Sequence, residues 1–284
     1  MPLDTSTYSL ALLRVDGRRW NELRQLQGQI RTQTAADGSS YLEMGNTKVM
    51  CVVSGPSEDK RKAGAGTTTA SNTGGAGGAG GAGGGGGADV NVSIVVAGFS
   101  SVDRKRRGRG DKRIQELQTT LSSALASTLH THLYPRSSIS ISLHVLSQDG
   151  SLLAALLNAS TLALIDAGIP MTDYLSACTA GSTSAHAAGD GPQGADPLVD
   201  LNAQEEAELP SLTLATRGAT DRVVVAVCES RVQVARLEGM MACAADGCRN
   251  VRGFLDGVVR EKGRRMVGEG AVERGVSMAM DIDV

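Results

Sequence analysis

An α+β fold, with a mixed or antiparallel sheet backed by helices, is what this sequence predicts. Three observations carry that expectation. Strand-like and helix-like stretches come in the order strands, helix, strand, helix, strands, helix, unlike the regular alternation of an all-parallel α/β chain. Ile139, Ile141, Leu143 and Val145 alternate with Ser138, Ser140, Ser142 and His144, which is the period of a half-buried strand. Leu152 to Ala167 is apolar nearly all round, the composition of a helix buried on most sides.

The elements follow in order. Residues 14–24 are polar and basic around Trp20, and Asp16-Gly17 signals a turn. Gln29 to Thr32 reads as a strand, Ala36 to Ser39 as a tight turn, Ser40 to Met44 as a second strand and Asn46 to Ser54 as a third. Residues 63–88 are Gly, Ala, Ser, Thr and Asn almost throughout. Nothing in them can be buried to offset the entropy of ordering, so a disordered surface loop is expected. Val90 to Val96 alternates again. A helix is expected from Ile114 to Leu133, with Ile114, Leu117, Leu121, Leu125 and Leu129 at three- and four-residue steps. Pro135-Arg136-Ser137 breaks it before the serine-rich strand. The turn Asp149-Gly150-Ser151 leads into the apolar helix, which Gly168 and Pro170 close. Short strands are expected at Tyr174–Ala180, Leu198–Asn202, Leu212–Ala215 and Val223–Cys228, with a second small-residue loop over 181–197. One or two helices should fill Arg231 to Val267, and the tail from Gly268 should be loose. The chain then divides into a tail, 1–13, a first half, 14–150, a second half, 151–267, and a C-terminal tail, 268–284.

Bulk properties exclude several classes. The net charge of −2 gives no global attraction to nucleic acid, so any such affinity must be local. Cys51, Cys178, Cys228, Cys243 and Cys248 are odd in number and form no CxxC, against a disulfide framework or a zinc ribbon and for reduced thiols. No secretory leader and no run of about 18 apolar residues is present, so a soluble protein with no membrane partner is expected.

Local chemistry is sparse. Residues 103–113 carry seven basic side chains, Arg104, Lys105, Arg106, Arg107, Arg109, Lys112 and Arg113. No aromatic is interleaved, so phosphate contact is suggested and base stacking is not. Basic residues at the start of the following helix oppose its dipole, a mismatch that a bound polyanion would relieve. His130, His132 and His144 have no G-x-S-x-G elbow near them, so a nucleophilic triad is not expected. Asp200, Glu205, Glu206 and Glu208 are hard-cation ligand types, but acidic residues at a strand end are more often solvated, and no metal or cofactor is expected. The turn before Leu152 has the shape of an anion seat at a helix N-terminus, yet offers no basic side chain.

Five stretches, RVDGRRWNELR (14–24), ADGSSYLEMGNTK (36–48), GFSSVDRKRR (98–107), LYPRSSISISLHVLSQDGS (133–151) and NASTLALIDAGIPMTDY (158–174), resemble the RNase PH family in that order. Within it they are most similar to core subunits of the eukaryotic RNA exosome. The resemblance runs from about Arg14 to about Val259, interrupted by the Gly-rich loop. It implies two βαβα halves of the ribosomal protein S5 domain 2-like kind. It also implies RNA as a partner and a place in a six-membered ring of RNase PH-like subunits. Cap subunits of S1/KH type and a separate hydrolytic nuclease would accompany the ring, at work in nucleus, nucleolus and cytoplasm.

Active members of the family cleave RNA from its 3′ end with phosphate as the attacking group. They use a Gly-Ser/Thr-Arg turn to hold phosphate and an Asp beyond a DLN-like strand as the acid. Here the turn reads Ser151-Leu152-Leu153, so leucines stand at the hydroxyl and guanidinium positions. The acid position falls near Glu206 in DLNAQEE, downstream of Asp200, and the segment after it shortens to AELP. The resemblance carries RNA contact to Lys112 and Arg113, to the basic run before them, and to Lys60, Arg61 and Lys62 at the ring's neck. Two readings result: a non-catalytic ring subunit that guides single-stranded RNA, or an active phosphate-dependent 3′-to-5′ exoribonuclease completed by a neighbour. A small-molecule enzyme on the same fold is the remote third.

Overall fold

The computed structural model describes residues 13–14, 16–58, 87–100, 104, 111–183, 197–218 and 222–273. The Gly-rich stretch 63–86, Lys60, Arg61, Lys62, Lys105, Arg106, Arg107 and Arg109, the first tail up to residue 12 and residues 274–284 lie outside them.

Two sheets enclose one helix. The first holds β1 (Leu26–Ile30), β2 (Gly38–Met44), β3 (Thr47–Glu58), β4 (Asp89–Val96) and β5 (Ser137–Ser147) in the order β1-β2-β3-β5-β4. Its neighbours are antiparallel except β4 and β5, which are parallel. A parallel pair needs a crossover, and helix α1 (Lys112–Thr128) supplies it. The second sheet holds β6 (Leu175–Ser182), β7 (Pro197–Val199), β8 (Ser211–Arg217) and β9 (Arg222–Cys228) in the order β7-β6-β8-β9, antiparallel throughout. Helix α2 (Leu152–Asp166) lies between the sheets, short α3 (Ala203–Glu208) joins β7 to β8, and α4 (Val234–Glu273) packs on β6, β7, β8 and β1.

The core sits around α2. Its residues from Leu152 to Leu164 are all buried, as an all-round apolar helix requires. Of its buried polar side chains, Ser160 donates back to Leu156 O and Leu157 O, and Asn158 and Thr161 bond to the second sheet. Asn158 donates to Ala177 O at 2.9 Å and accepts from Ala177 N at 2.8 Å. Thr161 donates to Leu175 O at 2.9 Å, and Ser40 of β2 donates to Ala159 O at 2.7 Å. Each buried polar atom is thereby satisfied, and the helix is fixed in depth and rotation. At Gly38 a Cβ would fall 2.3 Å from Ala163 O, so β2 meets α2 backbone to backbone.

Several boundaries differ from those expected. β1 starts at Leu26 rather than Gln29; the alternation is hidden at Gly28, where a Cβ would lie 3.3 Å from both Phe254 and Val258 of α4. α1 ends at Thr128, because Leu129 leaves in extended geometry to bridge Met171, and Thr131–Leu133 is a single 3-10 turn. Ala88 belongs to the fold rather than to the loop: it is buried and its N–H donates to Thr131 O at 2.9 Å. Gly181 and Ser182 complete β6, and Pro197 starts β7. The last helix is one piece and runs through Gly268 to Glu273, where a loose tail was expected. Its side chains from Arg264 to Val267 are exposed, so continuation of the backbone ladder, not packing, carries those turns. Among the described residues no helix is long and apolar enough to cross a membrane.

Candidate anion cavity and basic rim

The sheets leave a cavity of about 670 Å³ where the N-termini of α1 and α2 approach α3, β8 and β9. Lys112 and Arg113 open α1 on one wall, Leu152 and Leu153 open α2 on another, and Glu206 of α3 closes the space between them. Four of the positions read from the sequence as a phosphate and acid site, Ser151, Leu152, Leu153 and Glu206, therefore converge, with Lys112 and Arg113 opposite.

The α2 end is built by its turn. Gly150 has φ +75°, and a Cβ there would lie 2.5 Å from the carbonyl carbon of Asn202. Ser151 follows with φ 52°, also left-handed. That conformation turns its hydroxyl inward, donating to Leu201 O at 2.9 Å, so it does not cap the helix it precedes. Ser151 N–H instead donates to Glu206 Oε2 at 3.0 Å. Leu152 and Leu153 are each 7% exposed and present hydrocarbon to the cavity.

Glu206 is held by a rigid support. Asn202 caps α3 by accepting from Glu205 N at 3.0 Å, and its own N–H donates back to Glu205 Oε2 at 3.1 Å. Ala203 N donates to Asp149 Oδ1 at 3.2 Å, tying α3 to the turn before α2. Glu205 is itself buried and ion-paired to Arg14, whose Nε donates to Oε1 at 2.8 Å.

Asp200 is fully buried and takes three hydrogen bonds from Arg24: Nη2 at 2.7 Å, Nε at 3.0 Å and the backbone N–H at 3.0 Å. Burial drives its carboxyl upward, but the Arg24 charge and these bonds outweigh burial and hold it below the usual carboxylate range. Arg24 moves upward for the reciprocal reason, the Asp200 charge overcoming burial. Asp200 thus does structural work, away from the cavity lining. Of the four acidic residues considered for a hard cation, Asp200 and Glu205 are committed to arginines and only Glu206 lines the cavity.

Of the basic run, Arg104, Lys112 and Arg113 are described, and Lys105, Arg106, Arg107 and Arg109 lie outside the described residues. Among the described residues, two cations, Lys112 and Arg113, share the lining with four carboxylates, Asp111, Glu116, Glu206 and Glu229. Asp111 caps α1 by accepting from Arg113 N at 3.2 Å, so the dipole mismatch read from the sequence is already met by a resident carboxylate. Arg113 lies 3.9 Å from Glu229, an exposed pair of little strength. Gln148, a lining residue, donates its N–H to Ser100 O at 3.0 Å, and Asp111 lines the cavity beside Lys112. Arg104 is exposed with φ 47°. Arg14, Arg24, Glu116 and Glu229 were not singled out from the sequence; pairs such as Arg24 and Asp200, 176 residues apart, leave no local pattern.

Two family models match the chain: 3′ exoribonuclease family domain 1 over residues 22–170 and domain 2 over 173–247. They divide it just after α2, the helix that both sheets share. The exosome complex component ski6 of Schizosaccharomyces pombe is 39% identical over 258 residues, which are 90% of this chain and 94% of that protein. The human exosome complex component RRP41 is 37% identical over 87% of this chain and 91% of its own length. Among solved structures, rice Rrp46 superposes with a TM-score of 0.68 at 22% identity, over 86% of this chain and 98% of that one. An Archaeoglobus fulgidus exosome chain, from a complex with RNA bound to the active site, superposes with a TM-score of 0.64 at 18% identity, over 88% and 96%. At those identities the structural matches bear on fold, and the relatives above them, with the two domain models, decide the family: this chain belongs to the 3′ exoribonuclease family typified by RNase PH.

Proposed function

We propose that this chain is a ring subunit of the RNA exosome that guides single-stranded RNA and does not cleave it. Relatives 39% and 37% identical to it are named exosome components, and they match nearly end to end. The observation that carries the lack of catalysis is the α2 entrance. Leucines line it, and the N–H of Ser151, the residue that leads into it, is spent on Glu206.

Phosphorolysis must bring a phosphate dianion into line with a polyanionic backbone. A guanidinium fork offsets that repulsion through charge-assisted hydrogen bonds. Each preorganised donor removed from such a site costs on the order of two to three powers of ten in rate. Here both the hydroxyl and the guanidinium are replaced by hydrocarbon. The basic side chains need no such chemistry. Arg104, Lys112 and Arg113, with Lys60, Arg61, Lys62, Lys105, Arg106, Arg107 and Arg109, contact phosphates without reading bases, which suits a conduit through which any RNA slides.

We further propose that the neighbours are other RNase PH-like subunits in a ring of six, S1/KH-type caps and a hydrolytic nuclease, serving rRNA maturation and mRNA turnover in nucleus, nucleolus and cytoplasm. The alternative, a phosphorolytic exoribonuclease completed by a neighbour, draws on the retained pair Lys112 and Arg113 facing a carboxylate across one cavity. The reconstituted ring, incubated with RNA and inorganic phosphate, decides between them. No nucleoside diphosphate is expected, and its release would establish the alternative. In the same assembly, Arg106→Glu, Arg107→Glu and Arg113→Glu together should shorten the RNA protected from nuclease; unchanged protection would refute the guiding role.

A further inference from the structure

We infer that Glu206 is a built-in anion that occupies the backbone seat at the start of α2 and makes the cavity reject phosphate. The inference rests on the non-catalytic reading above and adds the device that enforces it.

A helix entrance carries unpaired N–H groups and a positive dipole end, and something negative or oxygen-bearing normally satisfies them. The adjacent serine is the usual candidate. Here the left-handed Ser151 sends its hydroxyl to Leu201 O, and a carboxylate 55 residues later in sequence accepts Ser151's own N–H, the one that leads into the helix. That carboxylate is not a swinging side chain on a free loop. The six-residue helix bearing it is closed by the Asn202–Glu205 capping box, pinned by Arg14 on Glu205 and joined to the α2 turn through Ala203 and Asp149. The chain itself thus holds a carboxylate on the N–H leading into the helix, from a fixed position. A phosphate approaching it meets Glu206 at short range, with Asp111, Glu116 and Glu229 also on the walls and, among the described residues of the lining, Lys112 and Arg113 to oppose them. Neutral and cationic groups meet no such barrier. Apolar bulk at Leu152 and Leu153 removes attraction for an anion; Glu206 adds repulsion.

The test is phosphate binding by the full-length chain, followed by phosphorus NMR and calorimetry at low ionic strength. Glu206→Gln removes the charge and keeps the shape, and Glu206→Ala removes both. The wild-type chain should show no saturable binding of inorganic phosphate. Both variants should bind it at least about tenfold more tightly than any wild-type binding, the size of effect that one nearby like charge exerts on an ionic equilibrium, and sulfate should compete. Equal binding by wild type and variants would overturn the inference. So would failure of both variants to bind while their circular dichroism and urea midpoints stay native, or a gain in Glu206→Ala alone, which would make the block steric. Cleavage is scored separately in the assembled ring. Nucleoside diphosphate release by wild type sinks the non-catalytic reading, whereas silent wild type with non-binding variants sinks only the role given to Glu206.

Discussion

Replacing Arg24 by methionine tests whether the arginine–carboxylate pairs behind the cavity hold the two halves together. Arg24 and Asp200 have side-chain exposures of 6% and 0%, so the substitution strands a carboxylate in the interior. Removing one partner of a buried pair costs about 3–5 kcal/mol. Arg18, which donates to Asp200 O at 3.1 Å, remains nearby, so the lower end of that range is expected. At 2–4 °C per kcal/mol for a chain of this size, the melting temperature should fall by roughly 6–12 °C. The pH dependence gives an independent check. In the native chain Asp200 is held below its ordinary value, so its contribution is present above the unfolded pKa and is lost only as pH falls through the lower folded one. In Arg24→Met burial loses its main opponent, Arg18 remaining nearby, and the folded pKa of Asp200 rises. The penalty is then full at neutral pH and relieved on acidification. Urea midpoints of the full-length proteins at about pH 7 and about pH 4.5 should therefore show a gap that narrows toward acid. Arg24→Met combined with Asp200→Leu should recover more than half of the loss, because no lone charge remains. A loss below about 1 kcal/mol at neutral pH, or a gap that widens on acidification, would refute the reasoning.

Gly150→Ala should lose about 2 kcal/mol or more in urea, since a left-handed backbone and a backbone contact at 2.5 Å both oppose a side chain. Gly168→Ala, at φ +69° with open space around it, should lose only about 1 kcal/mol; equal losses would mean that the contact with Asn202 is unimportant. Leu152→Ser with Leu153→Arg should not restore phosphorolysis in the assembled ring, because the acid segment still ends in Glu206; nucleoside diphosphate release from this pair would refute that. Of the five thiols only Cys228 is exposed, so a disulfide reagent at mild alkaline pH should titrate one thiol quickly and four more on unfolding. Burial holds Cys51 and Cys178 well above the ordinary thiol range, and burial with Asp246 pushes Cys243 up to about 11. A second fast thiol would contradict that burial.

What was legible in the sequence was whatever a local period could encode. β5 shows its serines on one face and its aliphatics on the other because the strand is buried on one side only. α2 reads as buried because both sheets cover it. Where a glycine replaces a side chain to admit a neighbour, as Gly28 does for Phe254 and Val258, the period breaks and β1 is missed at its start. Where a tertiary bridge outbids helix continuation, as Leu129 with Met171, the pattern overshoots.

The site divides along the same line. Two leucines in place of the turn's polar groups are visible in the sequence, since they are consecutive residues in a recognisable motif. The contact that replaces them is not. A serine before a helix reads as its cap, and nothing in SLLAALL says that its φ is positive or that its hydroxyl turns to Leu201. That depends on Gly150 pressing against Asn202, and therefore on where α3 docks, which Arg14 and Arg24 decide from the other end of the chain. The same three-dimensional support carries the functional consequence. Once α3 is fixed there, Glu206 sits against the α2 entrance whether or not leucines follow it. Restoring the turn alone returns an anion's partners to a place that another anion already holds.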